Sequence, residues 1–272
     1  MPHATINGLQ IHYREAGEGF PVLLIHGYTG NSRNWALTIP ELTRRFRTMS
    51  VDLRGHGLSD KPTRREEYTI EAMVDDVYGL IQSLGVGECF LAGHSMGGII
   101  AQHFVLEHPA RVRALVLVDT AAERPNGMRM EQRQRLIAIA REKGMEAVFE
   151  EQLRSNPAAE RIQSDPRFLE NYKQQFLMTS LEAYLYCAEE MNSREPLLDK
   201  LSAIQVPTLI VCGEHDTPFR RPSQNMHERI RGSELVIIEG AGHTPQIEKA
   251  AEFNRVLMDF LSRVHNSVAA GG

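Results

Sequence analysis

The pentapeptide Gly93-His94-Ser95-Met96-Gly97 constrains this fold more than any other stretch, because of what flanks it. Before it, Glu88-Cys89-Phe90-Leu91-Ala92 is short and apolar enough for a buried strand. After it, Gly98-Ile99-Ile100-Ala101-Gln102-His103-Phe104-Val105-Leu106 carries the apolar positions of a buried helix. A strand that becomes a helix this quickly needs a tight, strained bend at Ser95. The glycines two residues to either side let neighbouring backbone pass without Cβ clashes. A serine on such a bend raises its hydroxyl above the sheet, and it becomes a useful nucleophile only if a base takes its proton.

The rest of the chain supplies strands and helices in alternation. Ala4 to Tyr13 alternates about Asn7-Gly8, a hairpin signal. Pro21–Ile25, Thr48–Asp52, Val112–Val118, Val206–Cys212 and Leu235–Ile238 read as strands, and 69–84 as a helix that stops near Gly85. This pattern predicts an α/β chain with a mostly parallel central sheet flanked by helices. From 122 to 202 the strand character disappears, and four helices are expected over 130–143, 145–155, 166–179 and 181–191. The expected organisation is a core of residues 1–121 and 203–265, a helical insertion of 122–202, and a flexible tail of 266–272. A closing helix is expected over 244–264.

Composition narrows the function classes. The 272 residues carry a formal net charge of −5, with 42% hydrophobic and 24% charged residues, giving no basic footprint for nucleic acid. No apolar run is long enough to span a bilayer, and Met1-Pro2-His3-Ala4 does not open a secretory signal, so a cytoplasmic protein with no membrane partner is expected. Cys89, Cys187 and Cys212 have no metal-ligand spacing and read as reduced packing residues. No pair of histidines and carboxylates has zinc spacing, so no metal is expected.

Three further loops fall at predicted C-terminal strand ends, where α/β sheets place their sites: His26-Gly27-Tyr28, Gly213-Glu214-His215-Asp216 and Gly240-Ala241-Gly242-His243. Together with Asp52-Leu53-Arg54-Gly55-His56-Gly57-Leu58-Ser59 and the Ser95 elbow, these landmarks follow one another in the order found in serine hydrolases of the α/β-hydrolase superfamily. The chain resembles the carboxylesterase-like members that carry an inserted helical cap, and the resemblance covers nearly its whole length. It implies that Ser95 attacks an ester carbonyl, that His243 takes and returns the proton, and that Asp216 orients the imidazole. The backbone N–H groups of Tyr28 and Met96 would form the oxyanion hole. Asp119, after the strand ending at Val118, and Glu214 are alternative acids; the resemblance favours Asp216. Activity should then rise as His243 loses its proton.

Other polar residues read as structural: His26 fixing the oxyanion loop, His94 beneath the elbow, and Asp52, Arg54 and His56 as a loop-fixing network. Aromatic and methionine residues of the insertion, Met128, Phe149, Phe168, Tyr172, Phe176 and Tyr184 among them, are expected to pack it onto the core and to give an apolar cleft suited to an uncharged ester. The expected partner is a small-molecule ester of small to medium chain length. Relatives with similar elbows hydrolyse carbon–carbon bonds or lactones or act as perhydrolases or haloperoxidases, and some hydrolase-fold proteins are ligand sensors. Carbon–carbon hydrolases generally carry a tryptophan after the histidine and a cap arginine; here Thr244 follows His243, the one tryptophan is Trp35, and Arg194 is the candidate arginine. Epoxide hydrolases and haloalkane dehalogenases use an aspartate nucleophile, which Ser95 argues against.

Overall fold

The computed structural model describes residues 2–125, 127–155 and 166–269. Its strands are β1 (His3–Ile6), β2 (Leu9–Ala16), β3 (Phe20–Ile25), β4 (Phe46–Val51), β5 (Cys89–His94), β6 (Val112–Val118), β7 (Thr208–Gly213) and β8 (Glu234–Ile238). They form one eight-stranded sheet in the order β1-β2-β4-β3-β5-β6-β7-β8. The β1–β2 and β2–β4 pairs are antiparallel, and every later pair is parallel. The first turn is the expected one: Asn7 and Gly8 both have positive φ (50° and 81°), and Ile6 pairs with Leu9.

The apolar runs are continuous because both faces of the sheet are covered. Leu23, Ile25, Leu91, Leu115, Leu117 and Ile210 point into one buried cluster, packed under α1 (Ile70–Ser83) and α2 (Met96–Glu107). Their neighbours Val22, Leu24, Phe90, Val116, Leu209 and Val211 point into another, closed by Trp35, Phe46, Phe253 and Leu257. Helix α1 is capped by Thr69, whose hydroxyl accepts from the Ala72 N–H, and ends at Gly85 with φ 65°.

Between β6 and β7 lie only helices among the described residues: α3 (Gly127–Ser155), α4 (Pro166–Leu177) and α5 (Leu181–Ser193), with a short 3-10 turn before β7. Helix α3 is broken at Gly144 (φ 79°), where the sequence places a junction between two helices. Leu136, Ala140, Val148, Phe149, Phe176 and Tyr184 from these helices form a cluster of their own. The segment is anchored by the Ser180 N–H, which donates to the Gly55 carbonyl at 2.9 Å. A Cβ on Gly55 would come within 2.4 Å of Ala183 Cβ. The Phe168 and Met128 side chains lie outside the described ones.

After β7 comes α6 (Thr217–Arg229), and the chain ends in α7 (Ala250–Ala269). The closing region departs from expectation twice. The helix expected over 244–264 is split at Lys249 (φ −134°), after a short turn at Pro245–Glu248. Residues 266–269, expected in a flexible tail, continue α7; 270–272 lie outside the described residues. No helix among the described residues is long and apolar enough to cross a membrane.

Candidate active site

The bend after β5 is as tight as the sequence requires. Ser95 sits at φ 51°, ψ −115°, a conformation that costs a non-glycine residue about 1–3 kcal/mol and persists only when its surroundings enforce it. They do so from three sides: the Ser95 N–H donates to the Val118 carbonyl (2.9 Å), and the Ser95 carbonyl accepts from the Gly98 N–H (2.9 Å) and the Thr120 hydroxyl (2.7 Å). The flanking glycines are required by space. A Cβ on Gly93 would stand 2.2 Å from the Gly97 carbonyl oxygen, and one on Gly97 would stand 2.5 Å from those of Ile25 and His26.

Three strand ends converge on the Ser95 hydroxyl. His243 Nε2 lies 3.1 Å from Ser95 Oγ, and Asp216 Oδ2 lies 2.7 Å from His243 Nδ1. Asp216 is buried, whereas the His243 side chain is 40% exposed, so the ring faces the cleft and its acid does not. Burial works to raise the Asp216 pKa, but the charge and hydrogen bond of His243, with help from Asp119, outweigh it and leave it below the ordinary carboxylate range.

The alternative acids have other employment. Glu214 Oε2 accepts from the Gly240 N–H (2.8 Å), tying the β7 loop to the β8 loop. Asp119, fully buried at φ 43°, accepts from the Gly213 N–H through Oδ1 (2.9 Å). Its Oδ2 is buried without a nitrogen or hydroxyl donor. Ligand atoms of Asp119, Cys212 and Asp216 lie within 4.8 Å of one another, the one such metal-like grouping among the described residues. Both carboxylates already serve protein groups. Burial, and then the hydrogen bond and negative charge of Asp216, push the Asp119 pKa well up, which favours its protonated form.

The remaining histidines hold loops. His26 Nε2 accepts from the Leu53 N–H (3.0 Å), which fixes the tautomer, and Nδ1–H then donates to the Gly27 carbonyl (2.7 Å). Gly27 in turn lies against the elbow: a Cβ there would be 2.7 Å from His94 Nδ1 and 3.1 Å from Ser95 Cβ. His94 Nε2 donates to the His243 carbonyl (2.7 Å), and burial followed by the neighbouring His243 charge drives the His94 pKa down to about 3. Asp52 accepts from the Ser32 and Leu58 N–H groups and from His12 Nδ1. Arg54 forms a two-pronged pair with Asp76 (2.6 and 2.7 Å), both groups buried, and His56 Nδ1 donates to the Arg54 carbonyl. His215 is exposed beside Glu214.

Two supports for His243 had no legible sequence signal. Glu248 brackets its backbone, accepting from the Gly242 N–H and the Thr244 N–H (both 2.8 Å), just before the break at Lys249. The Phe219 ring, from the first turn of α6, stacks on the imidazole at 4.8 Å. The Tyr28 hydroxyl donates to the Tyr184 carbonyl (2.5 Å) in α5, with the two rings stacked at 5.1 Å.

Above Ser95 lies a cavity of about 30 Å³, and its lining corrects the expectation of an apolar cleft. Met96, Ile99, Met191 and Phe219 contribute apolar surface, but Arg129, Arg133 and Arg194 also face it. Arg129 and Arg133 stand one turn apart on α3, a spacing that places them on one face yet reads like any solvated helix face in sequence. Arg194, the candidate cap arginine, lines the cavity but has its two terminal nitrogens committed to backbone. Its terminal nitrogens donate to the carbonyls of Ala121, Ala122 and Glu123, pinning the exit of β6 to the end of α5. All three cysteines are buried, and burial raises the Cys89 thiol pKa to about 12.

Comparison with known proteins agrees with this fold. The sequence model of the alpha/beta hydrolase fold matches residues 21–250. A putative 2-succinyl-6-hydroxy-2,4-cyclohexadiene-1-carboxylate synthase of Bacillus subtilis is 30% identical, over 93% of this chain and 96% of its own length. The solved enol-lactonase of Burkholderia xenovorans superimposes with a TM-score of 0.87 at 29% identity, covering 96% of this chain and all of the other. A thermophilic esterase from Thermogutta terrifontis, solved with malate bound, gives 0.87 at 30% identity, covering 97% and 98%. With the family pattern spanning most of its length, the chain belongs to the α/β-hydrolase family.

Proposed function

We propose that the protein is a serine carboxylesterase that hydrolyses small carboxylic esters through an acyl-enzyme intermediate. The observation that carries this reading is the relay from Asp216 through His243 to Ser95 Oγ, at 2.7 and 3.1 Å, opening into a cavity at the strained elbow. Ser95 Oγ attacks the ester carbonyl as His243 Nε2 takes its proton; His243 then protonates the departing alcohol and activates the water that releases the acid. Asp216, held ionised, orients the imidazole and stabilises its cation. The oxyanion is assigned to the N–H of Met96, an otherwise orphaned group at the start of α2, and to the N–H of Tyr28, beside the elbow-packed Gly27. Each such donor contributes about 3–4 kcal/mol of transition-state stabilisation. This chemistry requires no cofactor. The helices between β6 and β7 act as a cap, and the small cavity beneath them favours short acyl groups.

Similarity to an esterase and to an enol-lactonase supports acyl transfer to water. The carbon–carbon hydrolase reading loses ground because the Arg194 terminal nitrogens are committed to backbone carbonyls. The test is the initial hydrolysis rate of p-nitrophenyl esters from acetyl to palmitoyl, with Ser95→Ala alongside. Turnover concentrated at short chains and lowered on the order of 10⁴-fold or more in the variant is expected. Negligible turnover of every ester by the wild-type protein refutes the esterase reading.

A further inference from the structure

The geometry points to substrates that carry a free carboxylate in addition to the ester, held by Arg133 together with Arg129 on the cap side of the cleft. This inference rests on the serine-hydrolase reading and narrows its substrate class. Both arginines line the same cavity as Ser95, so a carboxylate held there is within a short carbon chain of a carbonyl at the nucleophile. Arg133 offers five N–H donors, one of which goes to a neutral acceptor, Asn192 Oδ1, at 2.7 Å. Among the described residues it forms no ion pair. Arg129 is held with its guanidinium 4.1 Å from the centre of the Phe219 ring, the same ring that stacks on His243.

The charge balance of the cleft says the same. Glu123 is the sole carboxylate in the cavity lining among the described residues, where three arginines line the same space; its Oε1 accepts from Asn225 Nδ2 (2.5 Å) and its charge acts on Arg194. Asp216 attracts Arg129 electrostatically but gives its hydrogen bond to His243. Burial, followed by repulsion from Arg133, lowers the Arg129 pKa to about 10, and burial lowers that of Arg133 as well. Holding two cations together in a confined cleft is unfavourable, and a pocket for a purely neutral ester would be better lined by leucine or methionine. A planar guanidinium matches a carboxylate in a two-pronged, charge-assisted geometry, which turns the unfavourable arrangement into a selective one.

A pair of substrates of equal shape tests this: monoethyl glutarate, with a terminal carboxylate, and ethyl 5-methylhexanoate, with an isopropyl group in its place, both followed by acid release. The wild-type protein is expected to favour the half-ester in kcat/KM, and Arg133→Met to lower that preference about 10- to 100-fold, chiefly through KM. Arg133→Lys, which keeps the charge and loses the fork, should restore part of it. Glutarate dianion should also slow labelling of Ser95 by a fluorophosphonate, and less so in Arg133→Met; diethyl glutarate should lack this Arg133 dependence. A wild-type preference for the neutral ester, or a preference and a glutarate protection unchanged by Arg133→Met, overturns the inference. If Arg133→Met does not fold, the wild-type preference and the lysine variant decide. Failure of the fluorophosphonate to label Ser95 instead sinks the serine-hydrolase reading, so the two failures are told apart.

Discussion

Replacing Asp119 by asparagine tests the claim that a buried carboxyl behind the acid of the relay keeps its proton. In the folded protein Asp119 accepts from the Gly213 N–H and faces Asp216, while burial and the Asp216 charge hold its pKa well up. In the unfolded chain the same group ionises near the ordinary value of about 3.9. Above that pH the unfolded state has released a proton that the folded state still binds. Stability from this group is therefore fully present below the unfolded pKa and declines as pH rises toward the folded one. The decline is about 1.4 kcal/mol per pH unit for as long as the folded protein keeps the proton. Asparagine has no proton to release, yet its oxygen can accept from Gly213 N–H and its N–H can donate to Asp216. Urea unfolding of both proteins at pH 5 and 7 should show the asparagine variant gaining on the wild type as pH rises, by up to about 2.7 kcal/mol, the limit for one proton held throughout the interval. Its activity should stay close to wild type. Asp119→Ala, which strands Gly213 N–H and one lobe of Asp216, should instead lose about 1–3 kcal/mol of stability per stranded group, and kcat/KM should fall about tenfold or more. A stability difference flat with pH, or an asparagine variant as inactive as the alanine one, would show that Asp119 is ionised and refute this reasoning.

Arg54→Met should cost about 3–5 kcal/mol in a urea melt, because it leaves Asp76 buried with, among the described residues, Asn7 as its remaining side-chain donor; a loss below about 1 kcal/mol would mean the pair is dispensable. Gly93→Ala and Gly97→Ala should each destabilise by about 1–3 kcal/mol or more and lower activity, because the new Cβ meets backbone oxygen rather than a movable side chain; thermal melts beside the ester assay check it. At Asp52, burial opposes ionisation, but hydrogen bonds from Leu58 and Ser32 and the proximity of His26 leave its pKa below the ordinary value, as at Asp216. Stability supplied by these two carboxylates is present above about pH 4 and is lost as pH falls through their folded values, so acid melts of Asp52→Asn should show a shallower loss than wild type.

The sequence alone determined the parts of this protein that depend on short-range pattern. Continuous apolar runs announced strands buried on both faces, Asn7-Gly8 announced the first hairpin, and glycines at 93 and 97 announced a bend that admits no Cβ. The chain order of Ser95, Asp216 and His243 could be read from loops at strand ends, and the structure brings these three side chains together. Strand position left three nearby carboxylates open, and tertiary structure turns Asp216, the one the resemblance favours, onto His243, since Asp119, Glu214 and Asp216 all sit at strand ends and differ in which way the folded loops turn them. It also decided the character of the cleft. Arg129 and Arg133 look like a solvated stripe on a polar helix until that helix is laid over Ser95, and Arg194 looks like a substrate clamp until its nitrogens are found on carbonyls 121–123. Periodicity encodes which face of an element is buried, but the partner across the gap can come from far along the chain, as His243 lies 149 positions from His94, a contact that no local pattern records.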